Sequence, residues 1–331
     1  MTQFKCASFF AGVGGIDLGF ERTKKFKTVY ANEFDSSPVE TFKANFKSRG
    51  LIVDNRDIHD VLVSDIGNSK IDVVMGGFPC QAFSIAGERQ GFNDQKGRGT
   101  LFFEMLRLIR DLKPQVVFFE NVKNLETHDK GRTLKTILDA LAKEGYHDPH
   151  YKVLNAMDYG NIPQNRERIY IVCFRDKEKN KKFKFPEKQA LTTKITEIID
   201  FKGKYSDKYY YTPGKYKIKG DIYQQLVDAM DDPMAVYQWR RVYVRKNKSG
   251  VVPTLTANQG EGGHNVCLVK TQSGIRKMTP RECFNAQGFP KSFRLPQLAD
   301  SKLYKQAGNS VCVPVIQRIA ENIARVLEEN N

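Results

Sequence analysis

"KCASFFAGVGGIDLGFERT" (5–23) joins an apolar run to an amphipathic one through three glycines in four positions. "KCASFF" (5–10) reads as a buried strand and "GGIDLGFERT" (14–23) as the helix that follows it. Gly12, Gly14 and Gly15 let the backbone approach a ligand closely, and the helix amino terminus favours a ligand's polar groups. A plain tight strand–helix turn is the alternative. The spacing F-x-G-x-G-G is not G-x-G-x-x-G, which argues against a nicotinamide dinucleotide.

The same alternation continues outward. "TVYAN" (28–32) is a strand, residues 36–47 a helix, "IDVVMGG" (71–77) a strand and "TLFFEMLRLIRDL" (100–112) a helix. "PQVVFFEN" (114–121) and "ERIYIVCF" (167–174) are strands on either side of the helix "TLKTILDALAKEG" (133–145). This order predicts an α/β fold with a mostly parallel sheet covered on both faces. After residue 176 the pattern gives way to short β-like pieces ("WRRVYV", "VVPTLTA", "NVCLVK") and a glycine-rich "NQGEGGHN". Regular structure returns near Met278 and ends in an amphipathic helix (313–329). The expected organisation is a discontinuous first domain, 1–175 with 279–331, and a smaller β-rich domain, 176–278.

The 331 residues carry a net charge of +15. Between Arg175 and Lys277 there are 22 Lys/Arg against 11 Asp/Glu, so +11 of that charge lies in under a third of the chain. A lysine-rich solvated surface explains a short charge run. A long one interleaved with Tyr209, Tyr210, Tyr211, Tyr237 and Trp239 points to a polyanion partner. The six cysteines form no CxxC pair and the histidines no ligand pattern, so free thiols and no metal site are expected. "MTQFKCASFFAGVGG" has no basic segment followed by a long apolar stretch, and no apolar run approaches membrane-spanning length, so a cytoplasmic protein without membrane partners is expected.

Six places carry candidate chemistry. Beyond the glycine turn, Glu33 in "NEFD" (32–35) follows the second strand, where a carboxylate suits a ribose diol. Asp57, with Ile58, ends "LIVDNRDI" and could accept from an adenine amino group or be an ordinary surface residue. In "GGFPCQAFS" (76–84) two glycines and a proline turn the chain ahead of Cys80, which is a core hydrophobe, a metal ligand or a nucleophile. Its glycine-rich sequel (81–99) favours the nucleophile on a mobile loop. Glu120 in "FFENVKNL" ends an apolar strand, as a desolvated proton donor or a capping acid. Arg166 and Arg168 in "PQNRERIY" alternate and can face one side of an entering strand. They suit a phosphate or base carbonyl, or form a solvated salt-bridge pair. "YKQAGNSV" (304–311) places a Gly-Asn turn before the last helix.

Taken in this order, "FAGVGG", "NEFD", "GGFPCQAFS", "GRGTLFFE", "ENVKN", "QNRER", "RECFNAQGFP" (281–290) and "YKQAGNSV" resemble the C5-cytosine DNA methyltransferases of bacterial modification systems over nearly the whole chain. The resemblance implies a Rossmann-like S-adenosylmethionine-dependent methyltransferase sheet and, at 176–278, a target-recognition domain. It implies that the Cys80 thiolate adds to C6 of a cytosine flipped out of duplex DNA. Glu120 then acts at N3, with Arg168 and Arg166 holding the base at O2. For the cofactor, Phe10, Gly12, Gly14 and Gly15 cradle the methionine end, Glu33 takes the ribose, Phe34 stacks on the adenine, and Asp57 and Ile58 take its polar edge. Pro79, Leu101, Asn309 and Val311 line that pocket. Gln81, Ser84 and Arg98 on the loop, and Gln238, Arg240, Arg241, Thr254 and Leu255 in the recognition domain, are the implied DNA contacts. The expected assembly is a monomer on DNA, with a cognate restriction endonuclease acting separately. The rivals are a transfer-RNA C5-methyltransferase of the same fold, a nicotinamide oxidoreductase, and a non-catalytic DNA-binding module.

Overall fold

The computed structural model describes residues 3–79, 101–215, 222–240, 243–247, 250–259 and 267–329. Two compact units divide the chain: Met1–Leu154, Glu167–Glu187 and Val315–Asn331 form the first, Asn155–Arg166 and Lys188–Pro314 the second. The first unit is discontinuous, but its boundaries differ from those expected. Residues 176–187 belong to it because Asn180 accepts from the Phe174 N–H (3.0 Å) and donates to the Asp148 carbonyl (3.0 Å). Residues 279–314 belong to the second unit. There Arg276 donates to both oxygens of Glu282 at 2.8 Å in a fully buried pair, tying the chain after Met278 to the strand before it.

The first unit is built on a seven-stranded sheet. Its strands are β1 (Phe4–Phe9), β2 (Phe26–Asn32), β3 (Ile52–Asp54), β4 (Val73–Gly76), β5 (Val116–Val122), β6 (His150–Asn155) and β8 (Glu167–Phe174), ordered β3-β2-β1-β4-β5-β8-β6. β3 through β5 run parallel, and β8 runs antiparallel to β5. β5 is buried at six consecutive positions, the continuous apolar run that a strand covered on both faces requires. Helices α1 (Gly15–Arg22), α2 (Ser36–Asn45), α3 (Leu101–Leu112), α4 (Arg132–Lys143) and α6 (Lys177–Lys182) accompany it. The core gathers Phe9, Tyr30, Val74, Phe102, Phe119 and Ile171. Helix α10 (Val313–Glu328) lies against α1: a Cβ on Gly19 would come within 2.5 Å of Ile316.

This topology fixes where a ligand can sit. From β1 the chain proceeds to β2 and β3 on one side, then returns to β4 on the other. The carboxyl ends of β1 and β4 therefore flank the crevice at which strand order reverses. The glycine turn leaves β1 there, and the Gly76–Pro79 segment leaves β4 there.

The second unit holds an antiparallel sheet ordered β10-β9-β12-β13: β9 is Val236–Arg240, β10 Tyr243–Lys246, β12 Cys267–Thr271 and β13 Gly274–Lys277. Helix α7 (Ile222–Ala229) packs with it through Leu226, near Tyr237, Trp239 and Leu268. A short parallel pair, β7 (Gln164–Asn165) with β11 (Val252–Pro253), and helices α5 (Ala156–Tyr159), α8 (Pro280–Ala286) and α9 (Asp300–Asn309) complete it. Among the described residues no helix is long and apolar enough to cross a membrane.

Candidate active site

The first unit brings together the carboxyl ends of five parallel strands. At the end of β1, Phe10 takes a left-handed backbone (φ 52°), unusual for a bulky residue and a mark of local strain. Gly12 follows at φ 56°, and a Cβ on it would meet nothing within 4 Å among the described residues. Gly14 serves packing instead, since a Cβ there would lie 2.3 Å from the Phe46 ring of the chain after α2. Gly15 opens α1 and is buried.

At the end of β2 the Glu33 carboxylate is held by two N–H groups, Gly12 to Oε2 and Asp35 to Oε1, each at 2.9 Å. Asn55 Nδ2 donates to the carbonyls of Glu33 (2.7 Å) and Phe34 (2.9 Å) and fixes that backbone. The Phe34 ring is 70% exposed, an aromatic face presented to solvent beside a carboxylate and a glycine turn. Asp57 caps a short helical turn: its Oδ1 accepts from the His59 N–H at 3.0 Å and lies 2.5 Å from His59 Nδ1. The His59 N–H, and then its ring, hold the Asp57 carboxyl below its usual range. Ile58 is buried in the core, so only its backbone can meet a ligand; its carbonyl accepts from Arg107 Nη2 at 3.2 Å. Pro79 is exposed and Leu101, opening α3, is half-buried.

The other side of the crevice is built by β4, β5 and β8. Because β8 is antiparallel to β5, its amino end lies beside the carboxyl end of β5, with Arg168 opposite Val122 and Tyr170 opposite Glu120. Arg168 Nε thereby comes 3.3 Å from Glu120 Oε1, and both side chains are largely withdrawn from solvent (14% and 11% exposed). Glu120 faces β4: a Cβ on Gly77 would be 3.5 Å from its Oε2. The neighbouring Asn121 donates from Nδ2 to the Phe78 carbonyl at 2.8 Å and accepts the Val122 N–H on Oδ1 at 2.8 Å. This clamp between the segment after β4 and the end of β5 had no signal beyond its place in "ENVKN". Neither glycine of "GGFP" has a positive φ, so neither is there to supply a left-handed backbone. Gly76 instead permits close approach, because its Cβ would stand 2.6 Å from the Phe9 carbonyl and 2.8 Å from Met105.

Cys80, Gln81, Ser84, Arg98 and Arg241 lie outside the described residues. The five described cysteines are all buried, and burial pushes Cys173 and Cys267 up to about 12, so none of them is placed to act as a nucleophile.

The second unit receives the remaining residues, with several corrections. Arg166 falls between β7 and β8 in the second unit, whereas Arg168 lies on β8 in the first. The buried Arg166 guanidinium donates to the carbonyls of Leu255 (3.0 Å), Gly308 (3.2 Å) and Ser310. Thr254 Oγ1 donates to the Asn165 carbonyl at 2.6 Å and the Leu255 side chain is buried, so "PTLTA" is stitched to "QNR" along β7 and β11. Gln238 is buried opposite Cys267 on the neighbouring strand, which removes its side chain from the surface, whereas Arg240 at the end of β9 is half-exposed. The Gly-Asn turn is not a turn: Gly308 and Asn309 end α9, with Asn309 exposed and Val311 buried. Gly308 is required because a Cβ would lie 2.3 Å from the Thr256 backbone.

Known proteins resemble this chain over nearly its whole length. The family model for C-5 cytosine-specific DNA methylase matches residues 4–325. The Type II methyltransferase M.Bsp6I of Bacillus sp. (strain RFL6) is 58% identical over 97% of this chain and 98% of its own length. M.HhaI of Haemophilus parahaemolyticus is 36% identical over 99% of this chain and 96% of its own. The solved Entamoeba histolytica methyltransferase EhMeth superposes with a TM-score of 0.72 at 21% identity, covering 99% of this chain and 100% of that one. Spodoptera frugiperda DNMT2 gives 0.73 at 18% identity, covering 97% and 99%. These last two likenesses are of fold.

Proposed function

From the premise that this chain belongs to the C-5 cytosine-specific DNA methylases, and so is a DNA (cytosine-5-)-methyltransferase, we propose how it works. The donor is S-adenosylmethionine, the substrate a cytosine flipped out of a specific short duplex sequence, and the nucleophile Cys80. What supports the donor is the fit of the crevice: a glycine turn at Gly12 clear of the other described residues, a carboxylate at Glu33 for the ribose and an exposed ring at Phe34 for the adenine. Bound there, the donor supplies an electrophilic methyl group.

The observation that carries the reaction is the Glu120–Arg168 pair facing Gly77, three residues ahead of Cys80. Cytosine C5 is a poor nucleophile. The Cys80 thiolate forms a bond to C6, and ring electron density moves to C5 while Glu120 gives a proton or hydrogen bond to N3. Arg168 orients Glu120 and holds O2. C5 takes the methyl carbon as that carbon's bond to the sulfonium breaks, releasing S-adenosylhomocysteine. Loss of the C5 proton to solvent base, expulsion of the thiolate and return of any N3 proton to Glu120 restore the C5–C6 double bond and the neutral base. Arg166 acts by position, joining the Thr254–Leu255 element to the Gly308–Ser310 segment.

The basic second unit grips the phosphates, and the protein works as a monomer in a restriction-modification setting alongside a separate endonuclease. Bisulfite sequencing of DNA from a host expressing the chain tests the reading. One methylated cytosine context is expected, lost with Cys80→Ser. Unmethylated DNA, together with labelled methyl incorporated into transfer RNA, would overturn it.

A further inference from the structure

We propose that Asp17 is a positioning residue for the cofactor loop, tying the end of β1 to β2 across the base of the glycine turn. The proposal rests on the reading that this turn holds S-adenosylmethionine.

Asp17 sits in the first turn of α1 and is completely buried. Its two carboxylate oxygens serve different strands. Oδ2 accepts from Ser8 Oγ on β1 at 3.1 Å, and Oδ1 accepts from Thr28 Oγ1 on β2 at 3.0 Å. One turn further along α1, Glu21 Oε1 accepts the Thr28 N–H at 3.0 Å. This is where the β1–β2 ladder slips: Cys6 pairs with Thr28 but Ala7 with Tyr30. Two carboxyl groups from one helix thus fill a defect in the sheet.

What lies between the tied points gives the arrangement its consequence. Ser8 and Asp17 bracket residues 9–16, in which Phe10, Gly12 and Gly14 all hold left-handed backbones. Such a loop keeps its shape only if its ends are fixed. The slip also sets how far the end of β2 extends past the end of β1, and the Gly12–Glu33 hydrogen bond depends on that offset. A buried carboxyl with no cation paired to it among the described residues is a poor choice for stability alone. Two hydroxyls accepted at once from two strands is a task that an apolar residue cannot perform.

The test is calorimetric binding of S-adenosylhomocysteine, with thermal melting and methyl-transfer kinetics on the same samples. Wild-type protein that fails to bind would refute the cofactor reading itself. Given wild-type binding, Asp17→Ala is expected to raise Kd and the KM for the donor about tenfold, the scale of one buried hydrogen bond, with kcat at saturating donor within about twofold. Asp17→Asn, which keeps one acceptor, is expected to recover part of the loss. If Asp17→Ala does not fold, Ser8→Ala and Thr28→Val each remove one arm and should each weaken binding severalfold. A lower melting temperature with unchanged Kd and KM in the folded variants would overturn the proposal.

Discussion

Replacing Asn121 by Asp tests the clamp between β4 and β5 with a change of one atom. The variant keeps Oδ1 for the Val122 N–H but sets an oxygen against the Phe78 carbonyl, at a contact now 2.8 Å long and buried. The loss comprises one hydrogen bond and a buried carbonyl left without its donor, together roughly 2–4 kcal/mol. In a chain of this size that corresponds to a fall in melting temperature on the order of 3–6 °C. The functional effect is more selective. Phe78 lies two residues before Cys80, and Asn121 follows Glu120, so slackening the clamp shifts nucleophile and acid relative to each other. A displacement on the order of 1 Å can cost about a hundredfold in rate. Steady-state methyl transfer at saturating donor should show kcat reduced to that extent, while the Kd for S-adenosylhomocysteine, set by the β1 and β2 ends, stays within about threefold. A wild-type kcat in folded Asn121→Asp, or a parallel loss of kcat and cofactor affinity, would refute the reasoning.

Three further outcomes follow from packing and charge. Gly76→Ala forces a Cβ into the Phe9 carbonyl and Met105 and should destabilise the first unit by about 1–3 kcal/mol or more, read by chemical denaturation; a neutral result would contradict the close approach. Arg166→Met strands three carbonyls in the second unit, and at about 1–3 kcal/mol each it should melt that unit early and abolish specific DNA binding; retention of both would show the guanidinium to be dispensable. Desolvation, and then the Glu21 charge, raise the Asp17 carboxyl to about 7 in the folded protein, above its unfolded value of 3.8. The stability it contributes is complete below about pH 4 and lost as pH rises through 7. Asp17→Asn should therefore gain on wild type between pH 4 and 7 and hold level above; a pH-independent difference between the two would exclude that titration.

The parallel strands were legible because burial on both faces writes them as unbroken apolar runs, β5 above all. β6, "HYKVLN", gave no such signal, since only Leu154 is fully buried there. α7 and β13 lie in a polar, basic stretch where short elements leave little periodicity. That the second unit runs on past Met278 to Pro314 was not legible, because it depends on Arg276 meeting Glu282, a pairing of charges that spacing alone does not announce. At the site, residue types were readable and partnerships were not. The alternation of Arg166 and Arg168 is real, yet the break between β7 and β8 sends them to different units. Glu120 meets Arg168 only because β8 runs antiparallel. The glycines separated by function only once their surroundings were known: no neighbour among the described residues at Gly12, an aromatic ring at Gly14, a carbonyl at Gly76.

The central claim is a covalent bond between Cys80 and the cytosine ring, and 5-fluorocytosine tests it most directly, because the fluorine cannot leave C5 as the proton does. Duplex DNA carrying this base at the methylated position, incubated with the protein and S-adenosylmethionine, should yield an adduct stable to denaturation. Peptide mass spectrometry should place the nucleotide and one methyl group on the peptide containing Cys80. A modified peptide from any other cysteine, or full binding and cofactor turnover with no adduct, would contradict the account.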